Sequence, residues 1–392
     1  MHSTQAGVGR AGSYQLQPIR PVGYRAFIPA TLPPDPPVKI TGELQRLLSE
    51  ADRALGRLEG SVQTLPNPDL FVYMYVRKEA VLSSQIEGTQ SSLQDLLAAE
   101  AHVFSDSIPR DVDEVVNYVA AINHGLARLS ALPVSVRLIR EIHVELLRGV
   151  RGSHLTPGEL RTSQNWIGAA GCTLAEATFV PPPPAEVPVA LGSLESFLHR
   201  DDDLPLLVKI GLAHAQFETI HPFLDGNGRI GRLLITFLLC ERGALRKPVL
   251  YLSHYFKRYR QKYYERLQAV RDRGDWEGWL AFFLRGVAEV SVQAAETARR
   301  ILELREEHRL LITNELGRGA GSGHRVLEHL YERPILSVNE VVRITGTTYA
   351  AANQIVQRLT DLGILLEFTG QARHRRFRYD SYIRLFDEES GA

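Results

Sequence analysis

Two long apolar stretches, residues 204–220 and 233–239, enclose twelve residues of different character: His221-Pro222-Phe223-Leu224-Asp225-Gly226-Asn227-Gly228-Arg229-Ile230-Gly231-Arg232. The first stretch repeats apolar residues at helical spacing and the second is apolar nearly all round, so both predict buried helices with the polar segment as their connection. Gly226, Asn227 and Gly228 then fall at a helix N-terminus. Free backbone N–H groups and the positive end of the helix dipole converge there, and glycine lets an anion approach the main chain closely. A base, a hard carboxylate, an anion hole and two arginines in one connection point to phosphate chemistry.

The order His-x-Phe-x-Asp-Gly-Asn-Gly-Arg-x-x-Arg resembles the signature of the Fic family, enzymes that move the AMP part of ATP onto a protein hydroxyl, and it matches at every defining position. The resemblance implies a role for each residue. His221 is the general base that takes the proton from a serine, threonine or tyrosine hydroxyl as it attacks the α-phosphorus. Asp225 holds Mg²⁺ against the phosphates, a task suited to an ion that takes few carboxylates and several phosphate oxygens. Gly226, Asn227 and Gly228 cradle the phosphates, while Arg229 and Arg232 neutralise charge building up on departing pyrophosphate. Phe223 reads as a core anchor. In the Doc branch a lysine resembles the position of Gly228 and the γ-phosphate is donated instead, so glycine here favours nucleotidyl transfer, with phosphocholine transfer ranked below it.

Far upstream lies Ser83-Ser84-Gln85-Ile86-Glu87-Gly88, at the end of a stretch, 69–88, that is helical by periodicity and stops on a glycine. It resembles the family's inhibitory motif. The resemblance implies that Glu87 pairs with Arg232 and that Ser83 braces the catalytic loop, with Gly88 closing the helix. Residues 158–168 and the stretch through Thr178-Phe179-Val180 to Pro181–Pro184 are β-branched, glycine-containing and ended by prolines, which predicts a hairpin. They resemble the family's target-binding flap, which adds the target's main chain as an extra strand. Tyr263 resembles an adenine-contacting tyrosine of relatives, although tyrosines at helical spacing fit a core equally well. His214 reads as a hydrogen-bonded core histidine.

Helical patterns recur at 42–58, 69–87, 91–103, 111–130, 135–149, 186–200, 204–220, 229–242, 255–273 and 275–315, with the flap as the sole strand candidate. The expected fold class is therefore all-α: a Fic helical bundle with a β-hairpin flap, plus a small C-terminal winged helix. The division read from the pattern is a loose N-terminus at 1–23, an N-terminal domain delivering the inhibitory helix at 24–104, a catalytic core at 105–316 and a winged helix at 317–392. In the last, 324–332, 338–345 and 348–362 are helices and 365–379 is the wing. The wing carries Arg373, His374, Arg375, Arg376 and Arg378, and the helix before it Asn353, Gln354, Gln357 and Arg358. Such groups suit phosphates and base edges, though winged helices also serve protein contacts.

Lys plus Arg and Asp plus Glu both number 45, so no global charge draws the chain to nucleic acid or membrane. Two cysteines make no disulfide framework, and no leader-like or membrane-length apolar run occurs. The expectation is a cytoplasmic, autoinhibited protein adenylyltransferase using ATP and Mg²⁺, with a target hydroxyl (its own included), DNA and a second copy as partners. Two further readings stay open: an enzyme that removes AMP, with Glu87 aligning a water, and a DNA-binding regulator whose Fic module senses nucleotide.

Overall fold

The computed structural model describes residues 9–18, 23–65, 68–103, 109–169 and 171–387. It opens with an antiparallel pair, β1 (Gly12–Gln17) and β2 (Tyr24–Pro29), in register Gly12 opposite Pro29. The N-terminal expectation is corrected here. The flap is not the sole strand candidate, and part of the segment read as loose is β1, whose largely exposed polar face gave little alternation to read. Tyr14 packs edge-on against Phe27 at 5.0 Å, which pins the pair to the helical body.

The helices follow as α1 (Glu43–Gln63), α2 (Pro68–Ile86), α3 (Leu93–Glu100), α4 (Val112–Arg128), α5 (Val136–Leu146), α6 (Val187–His199), α7 (Leu206–Ile220) and α8 (Asn227–Glu241), then α9 (Ser253–Arg258), α10 (Arg260–Arg273) and α11 (Trp276–Leu316). On α1, Leu44, Leu47, Ala51, Leu55, Leu58 and Val62 make one buried stripe against α11, as an amphipathic period demands. The two apolar stretches become α7 and α8, and α7 is buried from Leu207 to Ile220. Gly211 is where α11 crosses it: an added Cβ would overlap Leu280, and Trp279 donates to the Gly211 carbonyl at 2.8 Å. The stretch 255–273 is two helices rather than one, broken at Tyr259 where ψ turns to 41°.

The C-terminal part comprises α12 (Ala320–Glu332), β3 (Ile335–Ser337), α13 (Val338–Thr345), α14 (Tyr349–Asp361), β4 (Leu366–Glu367), β5 (Arg376–Arg378) and α15 (Asp380–Asp387). Its strands order β3-β5-β4, all antiparallel, which is the sheet and wing of a winged helix. The first helix of this part, expected at 324–332, is corrected to start earlier: α12 begins at Ala320. Gly323 faces Ile312 and Leu316 so closely that a Cβ would overlap both, so the glycine serves tight packing onto α11 and not a linker. The helix α15 carries Phe386 against Tyr75 of α2 at 5.5 Å, edge to face. The winged helix therefore rests directly on α2.

Candidate active site

α8 is capped at its start by Gly226, whose φ of 79° only glycine adopts freely, and the first cap-region bond runs from Ile230 N–H to Gly226 O at 3.0 Å. The N–H groups of Asn227, Gly228 and Arg229 thus point out of the helix end, as at any helix start. The loop before it is closed on itself. Asn227 Oδ1 accepts from Phe223 N–H and its Nδ2 donates to Phe223 O, both at 2.8 Å, so its side chain staples the turn and leaves only its main chain for an anion.

His221 is the C-terminal cap of α7 and sits in the left-handed region at φ 50°, ψ 60°. A non-glycine residue there needs neighbours to hold it, at a cost of roughly 1–2 kcal/mol. Arg161 does so. Its Nε donates to His221 O at 2.9 Å, its Nη2 to Pro182 O at 2.5 Å, and its own N–H donates to Pro222 O at 3.0 Å. Asn165 adds a bond to Phe223 O at 2.8 Å. Burial pushes the His221 ring down to about 3, helped by the Arg271 and Arg161 charges and opposed by Glu87, so the ring is neutral at physiological pH. Its Nδ1 has no hydrogen bond among the described residues.

His143 of α5 supports the other side. Its Nδ1 accepts from Gly158 N–H at 2.8 Å, which leaves Nε2 to donate to Asp225 O at 3.0 Å, and its ring stacks on Phe223 at 3.8 Å. The Asp225 carboxylate takes Gly226 N–H at 2.6 Å on Oδ1, while Gly152 lies so close to Oδ2 that a Cβ would overlap it. Arg229 is buried, with Glu114 and Asp225 each at 3.4 Å, so it holds the acidic end of the loop. Among the described residues no three His, Cys, Asp or Glu side chains gather as a metal cluster. A lone carboxylate oxygen suits an ion bound mostly by phosphate and water, and that is the Mg²⁺ pattern.

The upstream motif arrives at the same helix end. Glu87 follows α2, and Gly88 closes the turn at φ 101°. Arg232 is buried and gripped at two of its nitrogens: Nε donates to Ser83 Oγ at 2.8 Å, and Nη2 to Ser83 O at 3.0 Å and Glu87 Oε1 at 2.7 Å. Burial alone would raise the Glu87 carboxyl, but the Arg232 charge and hydrogen bond outweigh it and hold the pKa below the usual value. A Cβ on Gly228 would overlap Glu87 Oε1. The Glu87 carboxylate therefore lies against the first turn of α8, at its positive end, and does so within one chain.

Tyr263 is corrected to the core. It is buried, stacks on Phe256 at 4.5 Å and donates to His214 Nε2 at 2.9 Å, while His214 Nδ1 donates to Gly231 O at 2.8 Å. The pair thereby fixes α8 from behind, and His214 is the core histidine its place on α7 suggests. Among the described residues the flap shows one bridge, Ile167 with Phe179, and Val180 O accepts from Phe27 N–H at 2.9 Å. Phe179 and Val180 are buried and Thr178 is exposed, so Phe179 offers no free main-chain edge to a further strand.

Residues 45–127 match the family described as Fic/DOC family N-terminal, 133–239 the Fic/DOC family and 322–376 the MarR family. The chain carries a Fic/DOC family N-terminal domain and a Fic/DOC family domain. A crystal structure of a Fic family protein from Desulfovibrio desulfuricans G20 shares the fold, with a TM-score of 0.58 at 20% identity over 88% of this chain and 97% of that one. A probable protein adenylyltransferase of Aquifex aeolicus is 42% identical over 69 residues, 18% of this chain and 22% of the relative. Protein adenylyltransferase Fic of Aedes aegypti is 32% identical over 154 residues, 38% of this chain and 27% of the relative. The chain spans about a quarter of the length of these two curated relatives.

Beneath the Fic loop, α2 carries a buried carboxyl, Glu79. Glu79 takes Tyr118 at 3.0 Å and Ser253 at 2.5 Å on Oε1, and burial raises it to about 7; Glu218 of α7 is raised by burial to the same region. Both bind a proton in the folded chain over a range, about 4.5 to 7, where they have lost it in the unfolded chain. Stability from these groups is therefore present below about 4.5 and lost as pH rises through about 7. Urea unfolding at pH 5 and pH 8 should show Glu79→Gln losing less stability between the two than wild type; an equal loss would mean Glu79 is ionised in the fold.

Proposed function

We propose that this Fic protein is a protein adenylyltransferase held inactive by its own α2. The carrying observation is the grip of Ser83 and Glu87 on Arg232 at the mouth of the anion hole. In the active form Arg232 is released to the terminal phosphates of ATP, and the free N–H groups of Asn227, Gly228 and Arg229 cradle the chain of phosphates. Arg229 keeps Asp225 in place. Mg²⁺ would be held by Asp225 and phosphate oxygens, where it supplies charge neutralisation. The target hydroxyl oxygen attacks the α-phosphorus, its proton passes to neutral His221, and the bond to the bridging oxygen breaks to release pyrophosphate. Arg161, Asn165 and His143 are positioning residues that hold His221 and Asp225 to this geometry.

The test is incubation of the full chain and of its Glu87→Gly variant with Mg²⁺ and α-labelled ATP, followed by intact mass. Gain of AMP on the chain or on an added protein, and none of the γ-label, supports the reading. Gain of γ-phosphate would establish kinase-like transfer. Removal of AMP from a modified protein, with no gain from ATP, would establish the reverse enzyme.

The winged helix supports a second activity, DNA binding. The structure narrows the side chains available: Arg376 pairs with Glu340 at 3.0 Å, Arg378 with Asp380 at 2.8 Å, and Arg358 caps α11 through Leu316 O at 3.0 Å. Arg373, His374 and Gln354 stay exposed, and Arg375 bonds Asn353 at 2.9 Å. Arg373→Ala should weaken duplex binding by the full chain and lower the salt slope by about one. A mobility shift insensitive to that change would put the DNA surface elsewhere.

A further inference from the structure

Between α2 and α3 on one side and the segment 333–334, β3, α13 and β5 on the other lies a cleft of about 500 Å³, the size of a small-molecule site. None of the roles above uses it. Its charged lining is Arg77, Arg333, Arg343, Arg376, Glu100 and Glu340, two more positive than negative. The cations are mounted differently. Arg77 lies flat over the Tyr73 ring at 3.2 Å with Glu100 on its fork at 2.6 and 2.8 Å, so it is fixed in place. Arg376 is fixed by Glu340, itself locked as the third residue of the Ser337 capping box. Arg333 is exposed and makes no side-chain hydrogen bond or ion pair among the described residues. Leu97, Ala101, Pro334 and Ile335 supply an apolar lining.

Two preset guanidinium groups on opposite walls, a third without a partner, and an apolar floor suit an anion with a body. Planar guanidinium forks match phosphate oxygens in particular. We propose that this cleft binds a small organic phosphate monoester, its phosphate bridging Arg77, Arg333 and Arg376 and its body on the apolar floor. Binding needs nothing from the catalytic loop and does not rest on the activity proposed above. A consequence does rest on that reading. The wall that carries Arg77 is α2, which ends nine residues later at Ile86, one residue before Glu87, so an occupant held by Arg77 acts on the helix that carries Ser83 and leads into Glu87.

The probe is phenyl phosphate, titrated calorimetrically into the full chain, with inorganic phosphate as the second ligand. Saturable binding is expected, tighter for phenyl phosphate than for inorganic phosphate. Arg333→Ala should weaken it roughly tenfold to a hundredfold, as loss of one charged hydrogen bond does, and Arg333→Glu should weaken it further. Arg333 is exposed and unbonded, so both variants should fold, which circular dichroism checks. Absence of saturable binding overturns the proposal. So does binding that Arg333→Glu leaves unchanged, which would place phenyl phosphate at the catalytic loop. Equal affinity for the two ligands would overturn the part assigned to the apolar floor.

Discussion

Glu87→Gly should raise the rate of AMP transfer by about tenfold. The figure is the worth of one charge-assisted hydrogen bond, roughly 1.5–3 kcal/mol converted at about 1.4 kcal/mol per decade, taken at its low end because the Glu87 side chain is 34% exposed while Arg232 is buried. The Arg232–Glu87 distance of 2.7 Å and the burial of the guanidinium place the pair in that class rather than among surface ion pairs. Two effects add in one direction. The substitution frees Arg232 for phosphate, and it removes a carboxylate from the positive end of α8, where it competes with the nucleotide. Ser83 still holds Arg232 through its hydroxyl and carbonyl at 2.8 and 3.0 Å, so the arginine stays near its present position and does not collapse into solvent. Glycine at 87 follows the last residue of α2 and costs little helix. Intact mass after incubation with ATP reads the outcome. Unchanged self-modification, with ATP shown to bind, would remove α2 as an inhibitor.

The same contacts show what a sequence can carry. The glycine pattern of 226–228 was legible because a helix N-terminus that receives an anion admits few other residues, and the apolar stretches on both sides fixed where that helix begins. The Glu87–Arg232 approach was legible only through the family resemblance, since nothing local joins residues 145 positions apart. Arg161 was not legible. Its partners are main-chain carbonyls 21 and 60 residues away, and a carbonyl leaves no mark in a sequence. His143 failed for the same reason, as both its nitrogens bond to backbone. Tyr263 shows the opposite failure: a tyrosine at helical spacing has the same signature in a core and in a pocket, and only the buried hydroxyl bond to His214 decides it. β1 was missed because a strand exposed on one side, made of Gly, Ser and Gln, shows little apolar alternation.

His221→Ala should lower transfer by about 100- to 10,000-fold, the contribution of a positioned general base. It is best measured in the Glu87→Gly chain, where the starting rate is high enough for the loss to be counted. ATP affinity should change little, because the phosphate contacts come from the α8 N–H groups and Arg232. Full activity in the double variant would remove His221 as the base. The pH profile gives a second, independent reading. Burial, assisted by Arg271 and Arg161, holds the ring near 3, and the base form is therefore the populated one around neutral pH. The kcat/KM profile, which reports the free enzyme, should then show no acid limb near the ordinary histidine value of about 6.5. Removal of Glu87 takes away a charge that favours the protonated ring, so it should push the pKa lower and leave the acid side flat. An acid limb near 6.5 in Glu87→Gly would mean that the imidazole is solvated in the active form, and that release of Arg232 also opens the pocket around His221.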